Sequence, residues 1–322
     1  MQFSEQIEVI HQVAATFWQQ DGNQLFEKFK EIDVIKRSEG RVSGFFPKYL
    51  NFPSVFFKVY FKDYGYQFEL QGLSATGQLP SLEGIRTPAV IQIYPQYKAF
   101  ILERRSWQDS DSQLKRFFPS VIGYDWEKIG LWLRNFHDYQ KNTSVNENFI
   151  DWKFKKTKQH LHTLQALFSI DQINKIKLLI ESARNFLKKD MCEWVLSHGD
   201  FLIGNIKLSG KTMDVIDFED CQMAPREFDI INFITRLEYL EYFPHRKSAY
   251  QSVKIAFLNG YGKQLDMTNP LNKFLYLFVK LDMLETYHRR RKLNQTPLYQ
   301  KLIYAYFERN GLVRLRKWLK TA

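Results

Sequence analysis

The chain has 322 residues, 44% of them hydrophobic and 16% aromatic, which is enough for a sizeable core in one large domain or two lobes. Its two cysteines, Cys192 and Cys221, form neither a CxxC nor a His/Cys ligand spacing, so neither a disulfide framework nor a zinc site is supported and the reducing cytosol is the expected compartment. The net charge of +11 is concentrated near the C-terminus: from His288 to Ala322, ten Lys or Arg residues face one acid, Glu308. Such a field attracts phosphorylated substrates, nucleic acid or a lipid surface, or it simply solvates a helix face.

Residues 5 to 30 place Ile7, Ile10, Val13, Phe17 and Leu25 near a 3.6-residue period, which predicts a helix. The start MQFSEQIEVIHQ lacks a basic segment followed by an apolar run, so no signal peptide is expected. From Ile32 to Glu103 the pattern changes to short β-rich runs, IDVIKR, SVFFKVYF, PAVIQIY and AFILERR, with one helix-like insert, YQFELQGLSATG. These predict a small, mostly antiparallel sheet carrying one helix. From Trp126 onward helical periodicity dominates, in DWEKIGLWLRNFHDYQ, KTKQHLHTLQALF, DQINKIKLLIESARNFLKK, EFDIINFITRLEYL and further segments to the end. The most apolar of these, LNKFLYLFVKLDML, is too short and too charged to cross a bilayer. The expected organisation is therefore a β-rich lobe over residues 1–105 and a helical lobe over 106–322, with a ligand cleft between them.

One strand-like island interrupts the helical half, SHGDFLIGNIKLSGKTMDVIDFED, Ser197 to Asp220. Gly204 and Gly210-Lys211-Thr212 come within one residue of a phosphate-binding Walker A loop, but MDVIDF after Lys211-Thr212 reads as a strand, where such a loop needs a helix N-terminus. A polar hairpin turn is the better reading. Asp200, Asn205 and Asp217 are either turn and strand-end residues or a cluster of hard oxygen donors suited to Mg²⁺ and phosphate chemistry. Lys58, mid-strand in SVFFKVYF, needs a partner if it is buried, and Glu69 on the following helix is the best candidate; an edge-strand lysine facing water is the alternative.

HGDFLIGN followed by IDFED resembles the catalytic and metal-binding segments of the aminoglycoside phosphotransferase and choline kinase superfamily, relatives of the protein kinases. Phe228-Asp229-Ile230 resembles the choline and ethanolamine kinase wording. The resemblance implies an α+β, protein-kinase-like bilobal fold with a small antiparallel N-lobe carrying one helix and a larger helical C-lobe. It implies an ATP- or GTP-dependent phosphotransferase acting on a hydroxyl of a sugar, amino alcohol or saccharide-type small molecule. Asp200 would be the base, His198 a support of its loop, Asn205 and Asp217 the Mg²⁺ ligands, and Asp229 a brace of the loop backbone. Lys58 with Glu69 would grip the nucleotide phosphates, the backbone near Glu103, Arg104 and Arg105 would meet the base, and Ser38, Gly40 and Gly44 would stand in for a glycine loop that lacks GxGxxG. His137 reads as a packed or capping histidine. Phe201-Leu202-Ile203 departs from the family in leaving no second basic group beside the base.

The helices after Asp229 are expected to form the acceptor pocket, with Glu238, Glu241, Asp282 and Glu285 suiting a cation, whereas Arg289 to Lys292 would favour an anion if it faces the cleft. Two other readings stay open: an inactive kinase-fold scaffold, and a binder of anionic surfaces through the basic tail. No nucleic-acid motif accompanies that charge.

Overall fold

The structure, a computed structural model, describes residues 8–9, 12–13, 16, 33–38, 41–45, 55–61, 63–103, 121, 123–142, 146–188, 192–243 and 246–322; for residues 33–38, 41–45, 55 and 142 it describes the backbone only. Of the helix expected over 5 to 30, the described residues 8–9, 12–13 and 16 are helical. Gly40, Arg104 and Arg105, and the lobe junction expected near Ser106 to Ser120, lie outside the described residues.

The chain divides into two compact units. The first comprises Met1–Gln78, Glu83–Asp109 and Ile206–Cys221; the second comprises Leu79–Leu82, Ser110–Asn205 and Gln222–Ala322.

The first unit holds a five-stranded antiparallel sheet in the order β1-β2-β3-β6-β5, built from β1 (Asp33–Ser38), β2 (Arg41–Phe45), β3 (Val55–Tyr60), β5 (Val90–Tyr94) and β6 (Ala99–Glu103). Ser38 and Gly44 belong to the β1–β2 hairpin. β3 lies between β2 and β6, with Lys58 opposite Ser43 and Phe100, so Lys58 is on an inner strand and not an edge. Helix α1 (Asp63–Thr76) is fastened to the sheet by Tyr66, whose ring stacks on Phe100 with centroids 4.8 Å apart. A smaller sheet joins β4 (Ile85–Arg86), parallel, to β10 (Thr212–Val215), which pairs antiparallel with β9 (Ile206–Ser209). β9 and β10 come from the stretch that the sequence assigns to the helical lobe, yet they group with the first unit. The turn between them is Gly210-Lys211, so Lys211-Thr212 leads into a strand and no phosphate-binding loop forms there.

The second unit is helical. Helices α2 (Trp126–Tyr139), α3 (Glu147–Leu164), α4 (Ile170–Leu187), α5 (Glu227–Leu240), α6 (Lys247–Tyr261), α7 (Pro270–Lys292) and α8 (Leu298–Thr321) surround a short antiparallel sheet of β7 (Lys141–Asn142), β8 (Trp194–Ser197) and β11 (Gln222–Pro225), in the order β11-β8-β7. Helix starts are capped as their sequences dictate: Asp125 accepts from Lys128 N, Asn146 from Phe149 N, and Ser169 forms a capping box with Gln172. The main core runs through α3, α4, α5 and α7 and includes Phe154, Leu164, Ile176, Phe228, Phe274 and Leu281. α2 and α6 cross at backbone contact: a Cβ on Gly130 would stand 2.0 Å from the carbonyl oxygen of Phe257, and one on Gly260 would stand 1.8 Å from that of Glu127. No described helix is long and apolar enough to cross a membrane.

Candidate active site

In the first unit the alternation of β3 puts Lys58 and Tyr60 on one face, where both meet the same buried carboxylate. Lys58 Nζ lies 2.7 Å from Glu69 Oε1, and the Tyr60 hydroxyl donates to Glu69 Oε2 at 3.0 Å. Lys58 also reaches Asp217 Oδ1 at 3.0 Å, across 159 residues of sequence. Both carboxylates are thus within reach of one ammonium, which offsets the cost of burying it. Asp217 follows β10 with a backbone φ of 73°, the left-handed region that a non-glycine residue enters only when its surroundings enforce it. The next residue, Phe218, is fully buried against α1 at Gly72, where an added Cβ would stand 2.6 Å from Phe218 Cβ. Glu103 ends β6, its N–H donating to the Ala89 carbonyl at 2.9 Å.

In the second unit β8 delivers the chain into the loop from His198 to Asn205, and Asp229 holds that loop from the start of α5. The Asp229 carboxylate accepts from His198 N at 2.7 Å, from Gly199 N at 3.0 Å and lies 3.0 Å from His137 Nε2. Burial works against its charge, but the His137 bond and the charges of His137 and His198 outweigh it and hold the carboxyl below the usual range. His137 Nδ1 meets the Tyr261 hydroxyl at 2.8 Å, and Arg226 adds a bond to that hydroxyl and ion pairs with Asp138 at 2.6 Å and Glu193 at 2.7 Å. His137 is therefore a structural brace, as its position at the end of α2 suggested. His198 is itself buried, with its ring edge-on to Phe201 at 5.6 Å.

Phe201, the first of the apolar tripeptide, is fully buried among Trp132, Phe233 and Phe257, at centroid distances of 6.1, 5.5 and 6.1 Å. It anchors the loop from below while its neighbour Asp200 stays partly exposed. Asn205 closes the loop in a short turn: its Nδ2 donates to the Asp200 carbonyl at 2.9 Å and to Asp200 Oδ2 at 3.2 Å.

No second basic group neighbours Asp200 along the chain, but the structure supplies one from α5. Arg236 Nη2 lies 3.9 Å from Asp200 Oδ1 and 3.2 Å from Asp282 Oδ2, and its Nε donates to Asn232 at 2.8 Å. Burial opposes the charge of Arg236, yet Asp200 and Asp282 more than compensate and raise the guanidinium above its ordinary value. Its signal in the sequence was faint, a basic residue two turns after Asp229 on the same helix.

The expected acceptor residues are mostly engaged within the unit. Glu238 accepts from Lys280 at 2.8 Å and from Tyr276 at 3.0 Å, and Lys254 lies 3.5 Å away. Burial raises the Glu241 carboxyl. Asp282 pairs with Arg236, and Glu285 with His160. At the end of α7, Arg289 is exposed, while Arg291 and His288 hold Glu308.

Asp217 carries a carboxylate and Asn205 an amide oxygen, each a hard donor of the kind that Mg²⁺ prefers. Lys58, pinned by Glu69, presents a fixed positive charge of the kind that nucleotide phosphates require.

Residues 106–263 match the model of the phosphotransferase enzyme family (APH). No curated protein is significantly similar in sequence to the chain. Among solved structures, spectinomycin phosphotransferase APH(9)-Ia, in complex with ADP and spectinomycin, is similar with a TM-score of 0.54 and 16% identity over 93% of this chain and 98% of its own. Amicoumacin kinase hAmiN, in complex with AMP-PNP, Ca²⁺ and Ami, gives 0.53 and 14% over 94% and 96%. A choline/ethanolamine kinase family protein from Mesorhizobium loti gives 0.52 and 11% over 90% and 88%. At these identities the solved structures attest the fold alone, and the family match spans just under half of the chain. The chain thus has the kinase-like fold of these structures, and its residues 106–263 are similar to the phosphotransferase enzyme family.

Proposed function

We propose that the protein transfers the terminal phosphoryl group of a nucleoside triphosphate, ATP or GTP, to a hydroxyl of a small organic acceptor. The observation that carries this reading is the ion-pair set of the first unit, Lys58 with Glu69 at 2.7 Å and with Asp217 at 3.0 Å. A buried lysine between two carboxylates is costly as a structural device, and it is well suited to orienting phosphate oxygens.

In this reading the acceptor oxygen bonds to the terminal phosphorus as the bond to the diphosphate leaving group breaks, and the hydroxyl proton passes to the Asp200 carboxylate. Mg²⁺, held by Asn205 and Asp217, would supply charge neutralisation on the phosphate oxygens. Glu69 keeps Lys58 aligned, and Asp229, through His198 and Gly199, fixes the loop that carries Asp200. Arg236 provides the positive charge that the tripeptide Phe201-Leu202-Ile203 does not, close enough to Asp200 to steady the transferred group. The backbone at Glu103 would meet the base of the nucleotide. Asp282 and Glu285 alternate with Arg236 and His160, a mixed polar face that favours a hydroxyl-rich acceptor over a simple cation.

The test is turnover of ATP and GTP with and without Mg²⁺ over a panel of spectinomycin, kanamycin, choline, ethanolamine and simple sugars, beside Asp200→Asn and Asp217→Asn. Mg²⁺-dependent transfer that each variant lowers by at least about a hundredfold is expected. Tight nucleotide binding with no transfer to any acceptor would favour a scaffold, and failure to bind either nucleotide would remove the site assignment.

A further inference from the structure

The basic C-terminal segment takes no part in the site described above, and its surface carries more than charge. α7 ends at Lys292 and α8 begins at Leu298, and the two helices pack against each other as a hairpin. Around its tip four large apolar side chains stand in solvent: Leu293 is 52% exposed, Leu298 74%, Tyr299 44% and Leu302 63%. Leu298 and Leu302 are one helical turn apart and so share a face. Four such residues within ten positions gather at one hairpin tip, unlike the scattered single hydrophobics of an ordinary surface.

The rim of this patch is positive. Arg289, Lys292 and Arg309 are exposed, and Lys301 is partly so. The one acid in the segment does not dilute that field, because Glu308 is buried and held by His288 Nδ1 at 2.8 Å and Arg291 Nε at 3.1 Å. Further along α8, Arg316, Lys317 and Lys320 continue the charge on the exposed side, with Val313 among them.

We propose that the α7–α8 hairpin tip docks on an anionic lipid bilayer, its leucines entering the acyl boundary while its lysines and arginines meet the headgroups. Apolar residues backed by a one-sign basic rim are the combination that binds such a surface, and each half strengthens the other. The long Lys and Arg stems let their charges stay at headgroup level as the leucines sink. A second copy of the chain is disfavoured, since two such faces repel. Nucleic acid would satisfy the cations but gains nothing from exposed aliphatic side chains. This inference is independent of the phosphotransfer reading.

The experiment is cosedimentation of the full chain with vesicles of phosphatidylcholine alone and of phosphatidylcholine mixed with phosphatidylserine, at low and physiological salt. Binding confined to the serine-containing vesicles is expected. Lys292→Gln/Lys301→Gln/Arg309→Gln should weaken it on the order of a hundredfold, at roughly fivefold per charge. Leu298→Ser/Leu302→Ser should weaken it about tenfold or more while leaving the unfolding curve unchanged, since both leucines are exposed. Failure of the wild-type chain to sediment with anionic vesicles would overturn the proposal. So would binding that ignores the leucine changes and is matched by a single-stranded oligonucleotide with the same salt dependence, which would make the surface a general polyanion site.

Discussion

Gly72→Ala sets two effects of known size against each other. Alanine in place of an interior helical glycine should stabilise α1 by about 1 kcal/mol through propensity alone. In this fold the new methyl would stand 2.6 Å from Phe218 Cβ and 2.8 Å from its Cγ and Cδ1, whereas carbon atoms pack at about 3.5 to 4.0 Å. Phe218 is fully buried and cannot swing into solvent, so the overlap of about 1 Å has to move either α1 or the chain at Phe218. Overpacking of that kind costs about 1 to 3 kcal/mol, so the net change is a loss of roughly 0 to 2 kcal/mol despite the better helix former. The larger consequence is local. Phe218 adjoins Asp217, whose carboxylate lies 3.0 Å from Lys58, while Glu69 one turn before Gly72 holds the same lysine. Displacing α1 from Phe218 pulls on both partners, and nucleotide affinity in the presence of Mg²⁺ should fall about tenfold, or about 1.4 kcal/mol. Urea unfolding and a nucleotide titration on the purified variant measure the two effects separately. A variant that is more stable by about 1 kcal/mol and binds nucleotide as the parent does would refute the coupling of Gly72 to Phe218 and Asp217.

Variants at two further positions probe the second unit. Arg236→Met should lower kcat about ten- to a hundredfold with little change in the KM for nucleotide, and Arg236→Lys should recover part of the loss; a change confined to KM would mean that Arg236 only positions substrate. Asp229→Asn should cost about 3 kcal/mol at neutral pH, because the amide cannot accept from three donors as the carboxylate does. Since the folded Asp229 titrates below its ordinary value of 3.8, its contribution is present above that value and disappears as pH falls through the depressed one. The parent should therefore lose stability on acidification below about pH 4 more steeply than Asp229→Asn does, and coincident acid limbs in the two unfolding curves would sink this account.

Lys58 and Glu69 were legible in the sequence because a lysine inside an apolar strand demands a partner, and the next helix offers few. Its bond to Asp217 was not, since nothing local joins residues so far apart in the chain. Arg236 escaped for a related reason: on a helix, a basic residue two turns after Asp229 is indistinguishable from one that faces solvent until the loop carrying Asp200 is folded against it. The first half of α3 was also missed. ENFIDWKF breaks the apolar period with Lys153, which is in fact buried, its Nζ 4.0 Å from the Phe228 ring centroid and 4.6 Å from that of Phe278. The grouping of β9 and β10 with the first unit rests on pairing with the two-residue strand β4, too short to leave a pattern. By contrast α2, α4 and α5 follow their periodic segments almost residue for residue, because an amphipathic helix packing on one core writes its face into the sequence.

The crossing of α2 and α6 makes the loop that carries Asp200 depend on residues with no chemistry of their own. His137 rides on α2 and Tyr261 on α6, and the hydrogen-bonded line from Tyr261 through His137 to Asp229 has the right length only while the two backbones touch at Gly130 and Gly260. What a methyl would strike there is peptide carbonyl, which has no rotamer to change, so the helices themselves would have to part. The spacing of the helices thus serves as a gauge block for the loop that carries Asp200, and these two glycines admit little substitution.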